Sequence, residues 1–292
     1  MASPESPTAL RRALVGVRAL LLDLDGVIVL KGELLPGAGD ALARLEARRV
    51  PYRIVTNTSL ISRASLSGWS RRLGSPIPPE RIMSALSASA AYTRHRHAGA
   101  PLFVMASTDA LTEFEGQRLL SAEEADAPGA TAAAVVVGDA PEAVTFDNLN
   151  RAFRLVRGGA ELIGMHRNPW WLTPDGPTLD SGALVTGLEF ATERPARILG
   201  KPSPAFFREA AAALGAEVRA RGGRRLVRSE IAMVGDDLRT DVQAARRVGL
   251  RGVLVLSGKH GLADVEAATG RRSGGRPDAI ARTLGEVVAA LG

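Results

Sequence analysis

The 292-residue chain has no cysteine. That one absence removes disulfides, thiolate-bound zinc, iron–sulfur clusters and thiol nucleophiles, and leaves any metal to oxygen or imidazole donors. A hard cation is therefore the metal to expect. Long apolar runs are also missing, since no stretch approaches the roughly 18–20 residues that a membrane span needs. The segment from Arg11 to Leu22 comes nearest to a targeting signal, but Arg18 interrupts it and Asp23 and Asp25 follow directly. It reads as the first helix or loop and strand of a soluble, cytoplasmic domain with no membrane partner. Aromatic residues are few, at 4%, and no aromatic-rich basic motif accompanies the net charge of +6, so nucleic acid is not an expected partner. Lysine is scarce as well: Lys31, Lys201 and Lys259 stand among 37 basic residues. A chain that uses arginine almost everywhere makes each lysine worth placing.

What is present has the composition of an ordinary globular protein, 46% apolar and 23% charged. Short, nearly continuous apolar runs ending in a polar residue predict buried parallel strands at Ala19–Asp25, Tyr52–Asn57, Arg197–Lys201, Ile231–Asp237 and Gly252–Ser257. Helical spacing of apolar residues appears at Gly39–Arg48 and at Thr240–Val248, the second stopped by Gly249. Strands alternating with helices predict a doubly wound α/β core with a parallel sheet. Ligands of such sheets sit beyond the carboxyl ends of the strands. Asp23, Asp25, Thr56, Lys201, Asp236 and Asp237 all fall at those ends.

Spacing supplies the domain plan. Asp23 and Thr56 are 33 residues apart, one strand–helix–strand unit, whereas Thr56 and Lys201 are 145 apart. The larger gap leaves room for an inserted domain of roughly 100 residues. Its expected elements are strands at Leu102–Ala106, Ala132–Gly138 and Glu161–Met165 and a helix from about Phe146 to Val156. The expected division is a core of residues 1–87 and 196–292 with an insert at 88–195. Arginine-rich stretches around Gly222 and at 271–277 read as surface loops. His95 and His97 read as solvated hinge residues between the domains, and Lys259 and His260 as surface residues.

The strand ends dictate a chemistry. Gly26 permits a turn directly after Asp25, so that Asp23 can face a ligand while the Asp25 main-chain carbonyl points at the same ion. With Asp236 this makes three oxygens, which suits Mg²⁺. Clustered acids need cations to balance them, and Lys201 and the metal provide these. A carboxylate nucleophile, a Thr56 hydroxyl, a lysine and a metal fit phosphoryl transfer through an aspartyl-phosphate.

DLDGV at 23–27, VTNTS at 55–59, GKPSP at 200–204 and VGDDLRTD at 234–241 resemble the four ordered motifs of the haloacid dehalogenase superfamily. The long insert after the second motif is similar to the C2-type cap of subfamily IIA. LPGAGDALARL at 35–45 and DGPTLDSGALVTGLEFAT at 175–192 resemble the branch that contains phospholysine phosphohistidine inorganic pyrophosphate phosphatases. The resemblance implies a Rossmann-like core with an α/β cap, Mg²⁺ as cofactor, a small phosphorylated molecule as substrate, and a homodimer formed through the cap. It implies Asp23 as nucleophile and metal ligand, Asp25 as general acid and base, and Thr56 with the Asn57 backbone on the phosphoryl oxygens. Lys201 would neutralise the phosphoryl charge, Asp236 would bind metal, and Asp237 and Asp241 would have supporting roles. Animal members of that branch tend to carry serine at the Asp25 position, so this chain has the fuller acid–base equipment. In the insert, His166, Arg167, Asn168, Trp170 and Trp171 form a polar and aromatic cluster able either to read substrate, His166 and Asn168 above all, or to pack the cap's own core. Two other functions stay open: a metal-independent haloacid dehalogenase, and a binding or signalling module phosphorylated on Asp23 without turnover.

Overall fold

A computed structural model describes residues 4–269 and 276–292; most of the loop expected at 271–277 lies outside them. By contacts the chain forms two compact units, one of residues 1–56, 70–82 and 202–292 and the other of 57–69 and 83–201.

The first unit is built on a parallel sheet. In spatial order its strands are Ala279–Ala281, Arg251–Val255, Ile231–Gly235, Ala19–Leu22 and Tyr52–Thr56, and the edge strand Ile82–Ser84, in which the chain leaves this unit, completes six. Every residue of Ala19–Leu22 is fully buried, as expected for a strand covered on both faces. The chain reverses strand order at this strand, with Tyr52–Thr56 on one side and Ile231–Gly235 on the other. Such a switch point opens a crevice at the carboxyl ends. Leu22 pairs with Val234, so Asp23 and Asp236 emerge side by side from neighbouring strands.

The expected helix at Thr240–Val248 is different in form. It starts as a π-turn at Leu238–Gln243 and becomes α-helical only at Ala244–Arg247. The Val242 N–H reaches back to the Asp237 carbonyl, and Asp237 caps the turn by accepting from the N–H groups of Arg239 and Thr240 at 2.8 and 3.0 Å. The apolar spacing announced a helix but not its winding, which follows from that cap. The loop around Gly222 is also less free than its composition suggests: Arg221 pairs with Glu217 at 2.7 Å, and Arg18 and Arg224 both pair with Glu230.

The second unit has a four-stranded parallel sheet ordered Arg197–Ile198, Glu161–Gly164, Ala134–Val137 and Leu102–Met105. Side chains alternate across a strand, and both faces here are apolar. Val135 and Val137 join Leu155, Val156, Val185 and Leu188 of the helices Phe146–Arg157 and Ser181–Thr192. Ala134 and Val136 face Leu86 of the helix Ala85–Arg96 and Phe114. A hairpin, Trp170–Thr173 with Gly176–Leu179, projects from this unit. It is open to solvent, with Trp170 at 37% exposure, so Trp170 is not packing a cap core.

Two expectations change here. Arg197–Lys201 is not a strand of the core sheet; its extended part, Arg197–Ile198, pairs with Glu161–Gly164 in the second unit. An apolar run ending in a polar residue specifies a strand but not the sheet it joins. His97 is not a solvated hinge residue: it ends the helix Ala85–Arg96, packs edge-on against Tyr92, and holds Glu161 at 2.8 Å.

Candidate active site

In the first unit Asp23, Asp236 and Asp241 are all buried, and one carboxylate oxygen from each lies within 4.8 Å of the others. Three hard oxygens this close repel one another unless a cation joins them, and the donor set fits a small divalent ion. Asp23 ends its strand, and its Oδ1 accepts from the Leu24 N–H at 2.7 Å, which fixes one oxygen. Asp241 was expected to be only a supporting residue. The π-turn carries it back over the strand end, where its Oδ2 accepts from the Asp237 N–H at 3.2 Å. Asp25 contributes no side chain to the cluster and is exposed. Thr56 ends the neighbouring strand and is buried.

Glycines make this approach feasible. A Cβ on Gly235 would stand 2.3 Å from Asp241 Oδ2, and one on Gly26 would stand 2.1 Å from Asp236 Oδ2. Gly26 also has φ +74°, which lets the chain turn straight after Asp25. Gly258 closes the other side of Asp236, where a Cβ would come within 2.0 Å of the same oxygen.

Sequence reasoning missed the loop that follows the strand Arg251–Val255. Lys259 and His260, read as surface residues, lie against the acids. The Lys259 N–H donates to Asp236 Oδ2 at 2.7 Å, and its ammonium pairs with Asp237 Oδ2 at 3.2 Å. His260 Nδ1 accepts from the Leu238 N–H at 3.2 Å. Ser257 Oγ ties the loop to the Gly26 carbonyl at 2.6 Å. Burial alone would push the Asp237 carboxyl up, but the Thr240 and Arg239 N–H groups and the charges of Lys259 and His260 hold it below the ordinary carboxylate value. The scarcity of lysine was the available signal, since one of only three stands here. A cavity of ≈ 710 Å³ in the same unit, lined by Arg18, Arg49 and Arg221, precedes the strands at their opposite ends and contains none of these acids.

The second unit holds Asn57, Lys201, His166 and Asn168. Lys201 is buried, and its backbone is gripped by the Asn57 carboxamide: the Lys201 N–H donates to Asn57 Oδ1 at 2.8 Å, and Asn57 Nδ2 donates to the Lys201 carbonyl at 3.0 Å. Asn57 Nδ2 also reaches Asn168 Oδ1 at 3.1 Å. His166 is only 2% exposed. Its Nδ1 lies 3.4 Å from the Asn168 N–H, and its Nε2 lies 3.3 and 3.2 Å from the hydroxyls of Ser59 and Ser181. Burial drives the His166 pKa down to about 4 against the opposing charge of Asp139, so the ring is neutral and Nε2 carries its proton. Burial, reinforced by Asp180, lifts the Asp139 carboxyl to about 6. Both ring nitrogens of His166 thus face protein groups.

Comparison with known proteins finds relatives over most of the chain. The profile of the Haloacid dehalogenase-like hydrolase family matches residues 20–119, and a second HAD-hydrolase-like profile matches 198–287. Haloacid dehalogenase-like hydrolase domain-containing protein 2 of Bos taurus is 36% identical over 256 residues, 88% of this chain and 89% of its own. The chain belongs to the haloacid dehalogenase-like hydrolases. The phospholysine phosphohistidine inorganic pyrophosphate phosphatase of Xenopus laevis is 32% identical over 84% of this chain and 85% of its own. The 4-nitrophenylphosphatase of Thermotoga maritima superposes with a TM-score of 0.80 at 25% identity, over 96% of this chain and 99% of that one. These neighbours put the chain on the phosphatase side of the family. No helix among the described residues is long and apolar enough to cross a membrane.

Proposed function

We propose that this chain is a Mg²⁺-dependent phosphohydrolase that acts on a small phosphorylated molecule through an aspartyl-phosphate on Asp23. The observation that carries the proposal is the buried cluster of Asp23, Asp236 and Asp241 at the switch point of the sheet. Those three residues would hold the metal, which supplies positive charge against the phosphoryl oxygens. An Asp23 oxygen attacks phosphorus and the bond to the leaving oxygen breaks as Asp25 donates a proton to that oxygen. Asp25 then takes a proton from water, the water oxygen attacks the phosphoryl group, and phosphate leaves with Asp23 restored. The exposure of Asp25 suits a group that must trade protons with substrate and water in turn. Thr56 would donate to a phosphoryl oxygen, and Lys201 would offer a compact ammonium to the phosphoryl charge. Residues 88–195 would act as the cap that selects small substrates.

A metal-independent dehalogenase has no use for three converging carboxylates, and a non-turnover module has no use for an acid placed as Asp25 is. The test is hydrolysis of 4-nitrophenyl phosphate with Mg²⁺ and after chelation. Turnover should require the metal and be lost in Asp23→Asn; turnover that survives either change refutes the proposal.

A further inference from the structure

Lys201 follows Gly200 in a segment with almost no secondary structure of its own, because the strand Arg197–Ile198 has already ended. Something other than a β-ladder must hold a catalytic cation there to a fraction of an ångström. Two backbone bonds lead up to it, Leu199 N–H to the Gly164 carbonyl at 3.2 Å and Gly200 N–H to the Met165 carbonyl at 2.7 Å. At Lys201 the ladder is replaced by a side chain. Asn57 meets both polar groups of the Lys201 backbone, one as acceptor and one as donor. Its carboxamide thus imitates the strand that is missing. The fit is close: a Cβ on Gly200 would stand 2.6 Å from Asn57 Oδ1 and 2.7 Å from Ala85 Cβ.

The clamp has its own support. Asn57 Nδ2 is shared with Asn168 Oδ1. The Asn168 carbonyl accepts from the Gly182 N–H at 3.1 Å, and the absence of a side chain on Gly182 is required, since a Cβ would stand 2.3 Å from that carbonyl oxygen. The neutral His166 ring then holds the Asn168 N–H on one side and Ser59 and Ser181 on the other. Two chain segments that are distant in sequence, those of Lys201 and Asn168, thus meet on the Asn57 carboxamide.

We propose that the side chain of Asn57 is a positioning residue that fixes the backbone from which the Lys201 ammonium extends, with Asn168 as its support. The assignment rests on the reading of Lys201 as the cation that meets the phosphoryl group. Asn57 acts through Lys201, so the two effects must not multiply. The experiment is a double-mutant cycle of Asn57→Ala and Lys201→Ala with 4-nitrophenyl phosphate, each enzyme checked for cooperative thermal unfolding. Asn57→Ala should lower kcat by about 10- to 100-fold, the effect of a displacement near 1 Å. The Mg²⁺ activation midpoint should stay within about 2-fold, because the carboxylate cluster is untouched. In the Asn57→Ala background Lys201→Ala should cost at least about 10-fold less than in the wild type. Multiplicative losses, or an Asn57→Ala enzyme within about 2-fold of wild-type kcat, would overturn the inference. Full activity in Lys201→Ala alone would instead overturn the role given to Lys201. Should Asn57→Ala fail to fold, the same cycle with the half-buried Asn168→Ala decides the question, a loss of roughly 3- to 10-fold in kcat, again non-multiplicative, being expected.

Discussion

Replacing Gly258 with alanine puts a methyl group where the Asp236 carboxylate already stands. The added Cβ would lie 2.0 Å from Asp236 Oδ2, 2.7 Å from Asp236 Cβ and 2.6 Å from the Gly26 Cα. Ordinary contact begins near 3.4 Å, so the carboxylate or the loop must retreat by about 1.4 Å. The loop is the harder part to move. Ser257 Oγ ties it to the Gly26 carbonyl at 2.6 Å, and the Lys259 N–H holds Asp236 Oδ2 at 2.7 Å. Turning Asp236 relieves the Oδ2 contact but not the one with the Gly26 Cα, so the loop must shift as well, and both the three-carboxylate cluster and the Lys259 N–H that holds Asp236 are disturbed. Overpacking of this kind costs about 1–3 kcal/mol of stability. Disturbing what orients a metal ligand typically costs about 10- to 100-fold in metal affinity.

The assay is a Mg²⁺ titration of 4-nitrophenyl phosphate hydrolysis, set beside thermal unfolding without metal. The activation midpoint should rise by at least about 10-fold, and saturating Mg²⁺ should recover part of the activity. A Gly258→Ala enzyme that folds and keeps the wild-type midpoint would show that Asp236 does not hold the ion, and the metal assignment would fall.

Two further predictions concern the second unit. Gly187 lies on the exposed side of the helix Ser181–Thr192 with nothing within 4 Å of an added Cβ, so Gly187→Ala should stabilise the protein by about 0.5–1 kcal/mol in a denaturant titration and leave kcat alone. His166 and Asp139 should give opposite pH dependences of stability, which Asp139→Asn separates. Asp139 keeps its proton in the folded chain up to about pH 6, so its contribution falls as pH rises from about 4 to 6; His166 refuses a proton down to about pH 4, so its contribution rises from about pH 4 to 6.5. Thermal unfolding of Asp139→Asn should show the histidine slope alone, approaching roughly 1 kcal/mol per pH unit, where the wild type is nearly flat.

The parts of the fold visible in the sequence were those that depend on local patterning. Ala19–Leu22 and Ile231–Gly235 read as buried strands because every residue in them is apolar or glycine, and the acids that follow marked the carboxyl ends of the sheet. Phe146–Arg157 read as a helix because its buried residues recur at helical spacing, with Ala152, Leu155 and Val156 on one face. Arg197–Lys201 carried equally good local signals and still joined the other sheet, since partner choice is settled by long-range pairing that no window of sequence contains. The same limit hid the Lys259 loop, whose contacts with Asp236 and Asp237 cross more than 20 residues.

What sequence patterning could least reveal is how the acids are brought so close together. Carboxylates repel, and three of them are held within 4.8 Å here because the space beside them is empty of side chains and an oxygen of each is met by an N–H group. Gly26, Gly235 and Gly258 provide the space; Leu24, Asp237 and Lys259 provide the N–H groups, one to each of Asp23, Asp241 and Asp236. Each N–H belongs to a residue whose backbone leaves a strand end, so the sheet itself aims the donors. Six positions that carry no catalytic chemistry thus determine whether the three that do can converge, and a substitution among them should act first on metal affinity and only through it on turnover.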